Sequence, residues 1–198
     1  MSDQKTWVLA SHNPGKIKEL QALLASSGIA LKGAAGLGLD EPKETEPTFE
    51  GNAALKAKAA WQVTGLTCLS DDSGLSVDAL GGEPGIFSAR WAGEARDFAM
   101  AMRRVHHALQ ASGSEDRTAR FVCVVALCRP DGEIALYRGE VAGQIVWPPR
   151  GEGGFGYDAI FQPHGHDRTF AEMSAAEKRA LSHRGRALAT LMAAEFGR

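Results

Sequence analysis

The sequence predicts an α/β fold with a mixed sheet. Apolar runs of strand length alternate along the chain with segments whose apolar residues recur at helical spacing. Turn-forming clusters such as Pro130-Asp131-Gly132 separate them. The 198 residues are 44% hydrophobic and 23% charged, ordinary globular proportions in a chain able to bury roughly 70% of its unfolded surface within one domain. No internal repeat or low-complexity segment interrupts the pattern.

Trp7-Val8-Leu9-Ala10 reads as a short buried strand. The turn from Ser11 to Gly15 leads into a helix from about Lys16, with Ile17, Leu20, Leu23 and Leu24 at helical spacing and Gly28 as its stop. Residues 33–48, rich in Gly, Pro and Glu and without a period, read as a mobile surface connection. Ala and Lys favour a helix from Phe49 to about Val63, with Asn52 and Lys56 on one face. Thr67–Ser70 reads as a strand, Asp71–Gly74 as a turn, and Leu75–Leu80 as an alternating run closed by Gly81–Gly85. A helix over residues 97–111 and a polar loop over Ser112–Arg117 precede the strand Phe121–Cys128. Ile134–Tyr137 and Val141–Val146 continue the sheet, and the glycine-dense Arg150–Asp158 loop leads to a short strand, Ala159–Gln162. Ser174 and Glu177 are spaced as a capping box; the helix they open breaks near Ser182-His183-Arg184, before a final helix ending at Phe196.

Composition excludes several classes. Lys and Arg total 22 against 24 Asp and Glu, a net charge of −2, which excludes binding to nucleic acid by bulk charge. The longest apolar runs, such as Phe121–Cys128, fall far short of the roughly 20 residues of a membrane helix, so no membrane partner is expected. The N-terminus enters a strand without an export signal, and Cys68, Cys123 and Cys128 form neither a disulfide framework nor a paired metal motif. A soluble, unexported protein with reduced cysteines, and hence a cytoplasmic location, is the expectation.

Several segments carry the residue types that chemistry needs. Ser11-His12-Asn13-Pro14-Gly15-Lys16, at a strand-to-helix turn, offers free backbone N–H groups, a positive helix end and a cation to an anion, yet it lacks the first Gly and the Ser or Thr of a Walker A loop. Asp71-Asp72 places adjacent carboxylates in different directions; one can anchor the backbone while the other holds Mg²⁺ or takes a proton from water. Glu44 and Glu46 can complete an oxygen-rich site. Gly151–Gly156, with Phe155 and Tyr157, combines close backbone approach with an aromatic face for a nucleobase. Lys178 and Ser182 share a helical face, and a break there aims His183 and Arg184 at a ligand. Each segment taken alone also fits ordinary turn, core or surface chemistry.

Taken together they resemble one family. Ser-His-Asn-Pro-Gly-Lys-Ile-Lys-Glu-Leu at 11–20, Thr-Phe-Glu-Gly-Asn-Ala-Ala-Leu-Lys-Ala at 48–57 and the long Asp-Asp-Ser-Gly-Leu run to Arg90 closely resemble the Ham1/RdgB family of inosine/xanthosine triphosphate pyrophosphatases. Gly-Gly-Phe-Gly-Tyr-Asp at 153–158, Thr-Phe-Ala-Glu-Met-Ser-Ala-Ala-Glu-Lys at 169–178 and Ser-His-Arg at 182–184 follow in the family's order. The resemblance implies Mg²⁺-dependent hydrolysis of ITP, dITP and XTP to the monophosphate and pyrophosphate. It implies an elongated mixed sheet flanked by helices, in two lobes with a central nucleotide-binding cleft, and a homodimer. By it, Ser11, His12, Asn13, Pro14, Gly15 and Lys16 grip the triphosphate, and Glu44 and Asp72 bind metal. Asp72 also accepts the proton of the attacking water, Ser73 contacts substrate, and Phe155, Gly156, Tyr157, Asp158, Lys178, His183 and Arg184 hold the nucleotide, the last two near the base. Two departures stand out: Ala159 replaces a common Pro, and residues 97–105 lack the usual Asn and Lys. A Maf-type pyrophosphatase and a non-catalytic nucleotide sensor are the competing readings, separable by a substrate panel and by product formation.

Overall fold

The computed structural model describes residues 5–11, 17, 20, 21, 24 and 27–197. Its strands are β1 (Lys5–Leu9), β2 (Ile29–Gly33), β3 (Thr67–Val77), β4 (Thr118–Cys128), β5 (Ile134–Ile145) and β6 (Phe161–Pro163). Its helices are α1 (Phe49–Thr64), α2 (Ser88–Trp91), α3 (Phe98–Ser112), α4 (Ala175–Leu181) and α5 (His183–Phe196), and Ile17, Leu20, Gln21 and Leu24 are also helical. The six strands form one sheet in the order β2-β1-β3-β4-β5-β6. β1 runs parallel to β2 and β3, while β5 and β6 are antiparallel, so the sheet is mixed as the sequence predicts.

The chain divides into two compact units. The first comprises residues 1–72, 124–137 and 190–198. Val8, Leu9 and Leu69 are fully buried there, and Trp7 stacks on Phe196 with ring centroids 5.8 Å apart. Helix α1 turns small residues inward, Ala53, Ala57 and Ala60, so its backbone comes close enough for Ser70 Oγ to donate to the Ala53 carbonyl at 2.5 Å. The second unit comprises residues 73–123 and 138–189. Its core gathers Leu75, Val77, Phe121, Ile160, Phe161 and Phe170 under the stripe Ala101, Val105 and Leu109 of α3. No described helix is long and apolar enough to cross a membrane, and all three cysteines are buried and free.

The structure corrects four local readings. Asp71–Gly74 is not a turn: it lies within β3, an unbroken strand of 11 residues. Turn propensity yields to the sheet: the strand starts against β1, where Thr67–Leu69 pair with Trp7–Leu9, and it lies next to β4 in the strand order. Likewise β5 runs through residues 138–140, where the sequence shows two strands, and Asp158–Ile160 forms a 3-10 turn ahead of a shorter β6. Strand β2 lies where no element is read, because five residues ending in glycine give too little alternation to register.

Helix α1 starts where local chemistry says it should. Thr48 Oγ1 accepts from the Gly51 N–H at 3.0 Å, satisfying one of the first-turn donors. Thr48→Ala is expected to cost about 1 kcal/mol, read as a lower urea midpoint with unchanged slope. An unchanged midpoint would show that water replaces the cap.

Candidate active site

In the first unit, three elements converge on a buried ion cluster. Strand β3 delivers Asp71 and Asp72, both buried, and α1 delivers Asn52 and Lys56. The extended segment before α1 carries Glu44 and Glu46, and it is fastened to the helix by Asn52. The Asn52 Oδ1 accepts from the Glu46 N–H at 3.1 Å, and its Nδ2 donates to the Glu46 carbonyl at 3.2 Å. Lys56, only 5% exposed, donates from Nζ to Glu44 Oε1 at 2.7 Å and lies 3.4 Å from Asp72 Oδ1.

The cluster carries excess negative charge. Burial pushes the Asp72 carboxyl up to about 6; Lys56 opposes that, and Glu44 and Asp71 reinforce it. Burial acts to lower the Lys56 ammonium, yet Asp72 and Glu44 outweigh it and hold it above its ordinary value. Burial and the neighbouring carboxylates raise Asp72 against the pull of Lys56, and the same carboxylates raise Lys56, since each added proton relieves the negative surplus.

This donor set fits a hard divalent cation. Asp72 Oδ2 is buried and has no hydrogen-bond partner among the described residues, and a buried carboxylate oxygen left so is costly unless something positive meets it. Carboxylate oxygens are the ligands Mg²⁺ takes, and it uses one or two of them with substrate phosphates completing the shell. Among the described residues, no three His, Cys, Asp or Glu side chains are placed to hold a metal ion together. Ser11 is buried just beyond β1, where the Ala10 N–H donates to the Leu69 carbonyl at 2.7 Å. His12, Asn13, Pro14, Gly15 and Lys16 lie outside the described residues. Ser73, the residue after Asp72, is half-buried and opens the second unit.

The second unit holds the other predicted residues. Asp158 is buried; it accepts from the Phe155 N–H at 2.7 Å and from Lys178 Nζ. Burial raises its carboxyl, while Lys178, the Phe155 N–H and the charge of Arg184 pull it down, so these groups act on one another. Gly154, at φ +71°, leaves the space that Asp158 Oδ2 occupies. Lys178 Nζ lies 4.3 Å from the centre of the Phe155 ring, which is 67% exposed and offers a face for stacking. Gly156 is half-buried beside it. Tyr157 points inward, donating to the Ser88 carbonyl at 2.8 Å and meeting Phe98 edge-on, so it braces the loop. His183 is buried with its ring stacked on Phe121, 4.9 Å between centroids, and Arg184 is half-buried. Ala159 sits in the 3-10 turn, its carbonyl accepting from the Arg150 N–H at 2.8 Å.

Two functional features escape sequence reasoning. From sequence, Lys56 only shares a helical face with Asn52, whereas in the structure it bridges Glu44 and Asp72. The Asn52 clamp on Glu46 leaves no local signature at all.

Fold and site together define an α/β protein whose first unit holds a buried cluster of Lys56 with the carboxylates Glu44, Asp71 and Asp72. The chain belongs to the Ham1 family, whose profile matches residues 7–194. It is 55% identical over 197 residues to a protein of Rhizobium meliloti (strain 1021) named dITP/XTP pyrophosphatase, covering 92% of both chains. A Ham1 protein from Coxiella burnetii superposes with a TM-score of 0.93 at 40% identity, covering 98% of this chain and all of that one. A dITP/XTP pyrophosphatase from Mycobacterium abscessus gives a TM-score of 0.82 at 44% identity, covering 94% of this chain and 98% of the other.

Proposed function

We infer that the protein hydrolyses non-standard purine nucleoside triphosphates, ITP, dITP and XTP, to the monophosphate and pyrophosphate, removing them from the nucleotide pool. The buried Glu44–Lys56–Asp72 cluster with its unpartnered Asp72 oxygen carries this reading, and the names of the relatives support it. A water oxygen attacks the α-phosphorus in line, the bond to the α–β bridging oxygen breaks, and pyrophosphate leaves with the electron pair. Asp72 takes the proton of the attacking water. Glu44 and Asp72 would hold Mg²⁺, which when bound offsets phosphate charge and makes the phosphorus more electrophilic. Ser11, the segment His12–Lys16 and Ser73 meet the triphosphate; Lys178 and Asp158 fix the nucleotide, Phe155 stacks on it, and His183 and Arg184 face the base.

Donors aimed at a purine 6-oxo group would leave a buried donor facing the 6-amino group of adenine, a mismatch worth factors of roughly 10⁴. We also propose a cytoplasmic homodimer: the reduced, buried cysteines support the location, and sedimentation at twice the 21.0 kDa chain mass would establish the dimer. Purified protein with ITP and Mg²⁺ is expected to release IMP and pyrophosphate in equal amounts, with the reaction abolished by EDTA. Release of orthophosphate, or binding of ITP with no product, overturns the reading.

A further inference from the structure

We propose that Gly139 is a positioning residue: it sets how closely the His183–Arg184 turn seats on the sheet, and through that turn the selectivity for the purine base. The inference rests on the reading that His183 and Arg184 face the base. Helix α5 begins directly against β5. A Cβ added at Gly139 would lie well inside 3.0 Å of the His183 carbonyl oxygen, 2.5 Å from the Ala187 nitrogen and 3.0 Å from Arg186 Cβ. The first two are backbone atoms, so no side-chain rotation makes room. Beside this contact, Arg186 Nη1 donates to the Glu140 carbonyl at 2.8 Å and fastens the same turn to the same strand.

The turn has no slack on its other sides. Gly185 is packed under the end of α4, where a Cβ would come within 3.0 Å of the Arg179 carbonyl oxygen, and its N–H donates to Ser182 Oγ at 3.1 Å. The His183 ring lies flat on Phe121, which is itself in the core. A methyl group at residue 139 therefore displaces the His183–Arg184 turn by roughly 1 Å, because a close-packed interior does not absorb it. Nothing in this contact touches Glu44, Lys56 or Asp72, so binding of the base should change while the chemical step does not.

The test measures kcat and KM for ITP and for ATP. Gly139→Ala is expected to raise KM for ITP about tenfold or more and to lower the ITP-to-ATP ratio of kcat/KM by a similar factor, with kcat within about threefold. Val141→Ala, a buried core residue two positions along the same strand, removes packing without adding an atom against α5. It is expected to lower Tm while leaving KM and the ratio unchanged. Gly185→Ala displaces the same turn from the α4 side and should reproduce the split, which decides the matter if Gly139→Ala does not fold. His183→Ala separates the two levels of the argument. If it shifts KM and the ratio while the soluble glycine variants match Val141→Ala, this inference is overturned and the base-facing reading stands. If His183→Ala shifts neither, the base-facing reading falls.

Discussion

Asp72→Asn is expected to slow ITP turnover by at least about 10²-fold while leaving the metal-free protein as stable as the wild type or more so. The first half follows from the loss of a proton acceptor and of a charged cation ligand in a side chain of the same shape. The second half follows from the sign of the electrostatics. Folding raises the Asp72 carboxyl from 3.8 to about 6, chiefly because burial disfavours its charge. A carboxyl that binds its proton more tightly in the folded state favours folding at low pH, and that contribution is lost as pH rises from 3.8 through about 6. At neutral pH the wild type therefore holds a buried charge that destabilises it by on the order of 1 kcal/mol or more. Asparagine carries no such charge, and Lys56 keeps its 2.7 Å bond to Glu44.

Thermal unfolding in EDTA checks this directly: the Tm advantage of Asp72→Asn should be greater at pH 8 than at pH 5. Adding Mg²⁺ should raise Tm more for the wild type than for the variant, since a cation meets the orphaned Asp72 oxygen. Near-normal turnover would remove Asp72 from its role. A variant less stable than the wild type at pH 8 would refute the electrostatic account.

What the sequence shows of this molecule follows the range of the forces involved. The α1 helix from Phe49, the Ser174–Glu177 capping box and the break between α4 and α5 depend on neighbours a few residues away, and each is readable from the chain. Asp71–Gly74 misleads for the opposite reason. Its local preference is for a turn, and only its place in β3, which pairs with β1 at Thr67–Leu69 and neighbours residues 118–128 in the sheet, makes it strand. Lys56 is ambiguous until Glu44 and Asp72 are seen around it, because a lysine on a helix reads as exposed unless its partners are known. Motif spacing names the candidate residues, but which carboxylate is orphaned and which cation is shared depends on long-range packing. Gly139 shows the limit most sharply: a glycine within a strand acquires meaning only when a distant helix is found resting on it.

Lys56→Met is expected to be far more damaging to stability than Asp72→Asn, although both remove one charge from the same cluster. Losing the carboxylate leaves an ammonium still bonded to Glu44. Losing the ammonium removes the cation that Glu44 and Asp72 share, in a cluster where Asp71 and Asp72 are both buried. Removing one partner of a buried pair in this way typically costs about 3–5 kcal/mol, and methionine restores volume but no charge. The wild-type Lys56 contribution persists across the neutral range, because its ammonium titrates above its ordinary value of 10.5 and is lost only in strong alkali. Raising pH from 6 to 8 should therefore weaken the variant further as Asp72 ionises, while scarcely affecting the lysine's contribution in the wild type. The double variant Lys56→Met/Asp72→Asn is expected to be more stable than Lys56→Met alone, because it removes a charge the first substitution stranded. Urea unfolding of the four proteins closes this cycle. A double variant no more stable than Lys56→Met would mean that Lys56 acts through packing of its stem, and the shared-cation account of the site would fail.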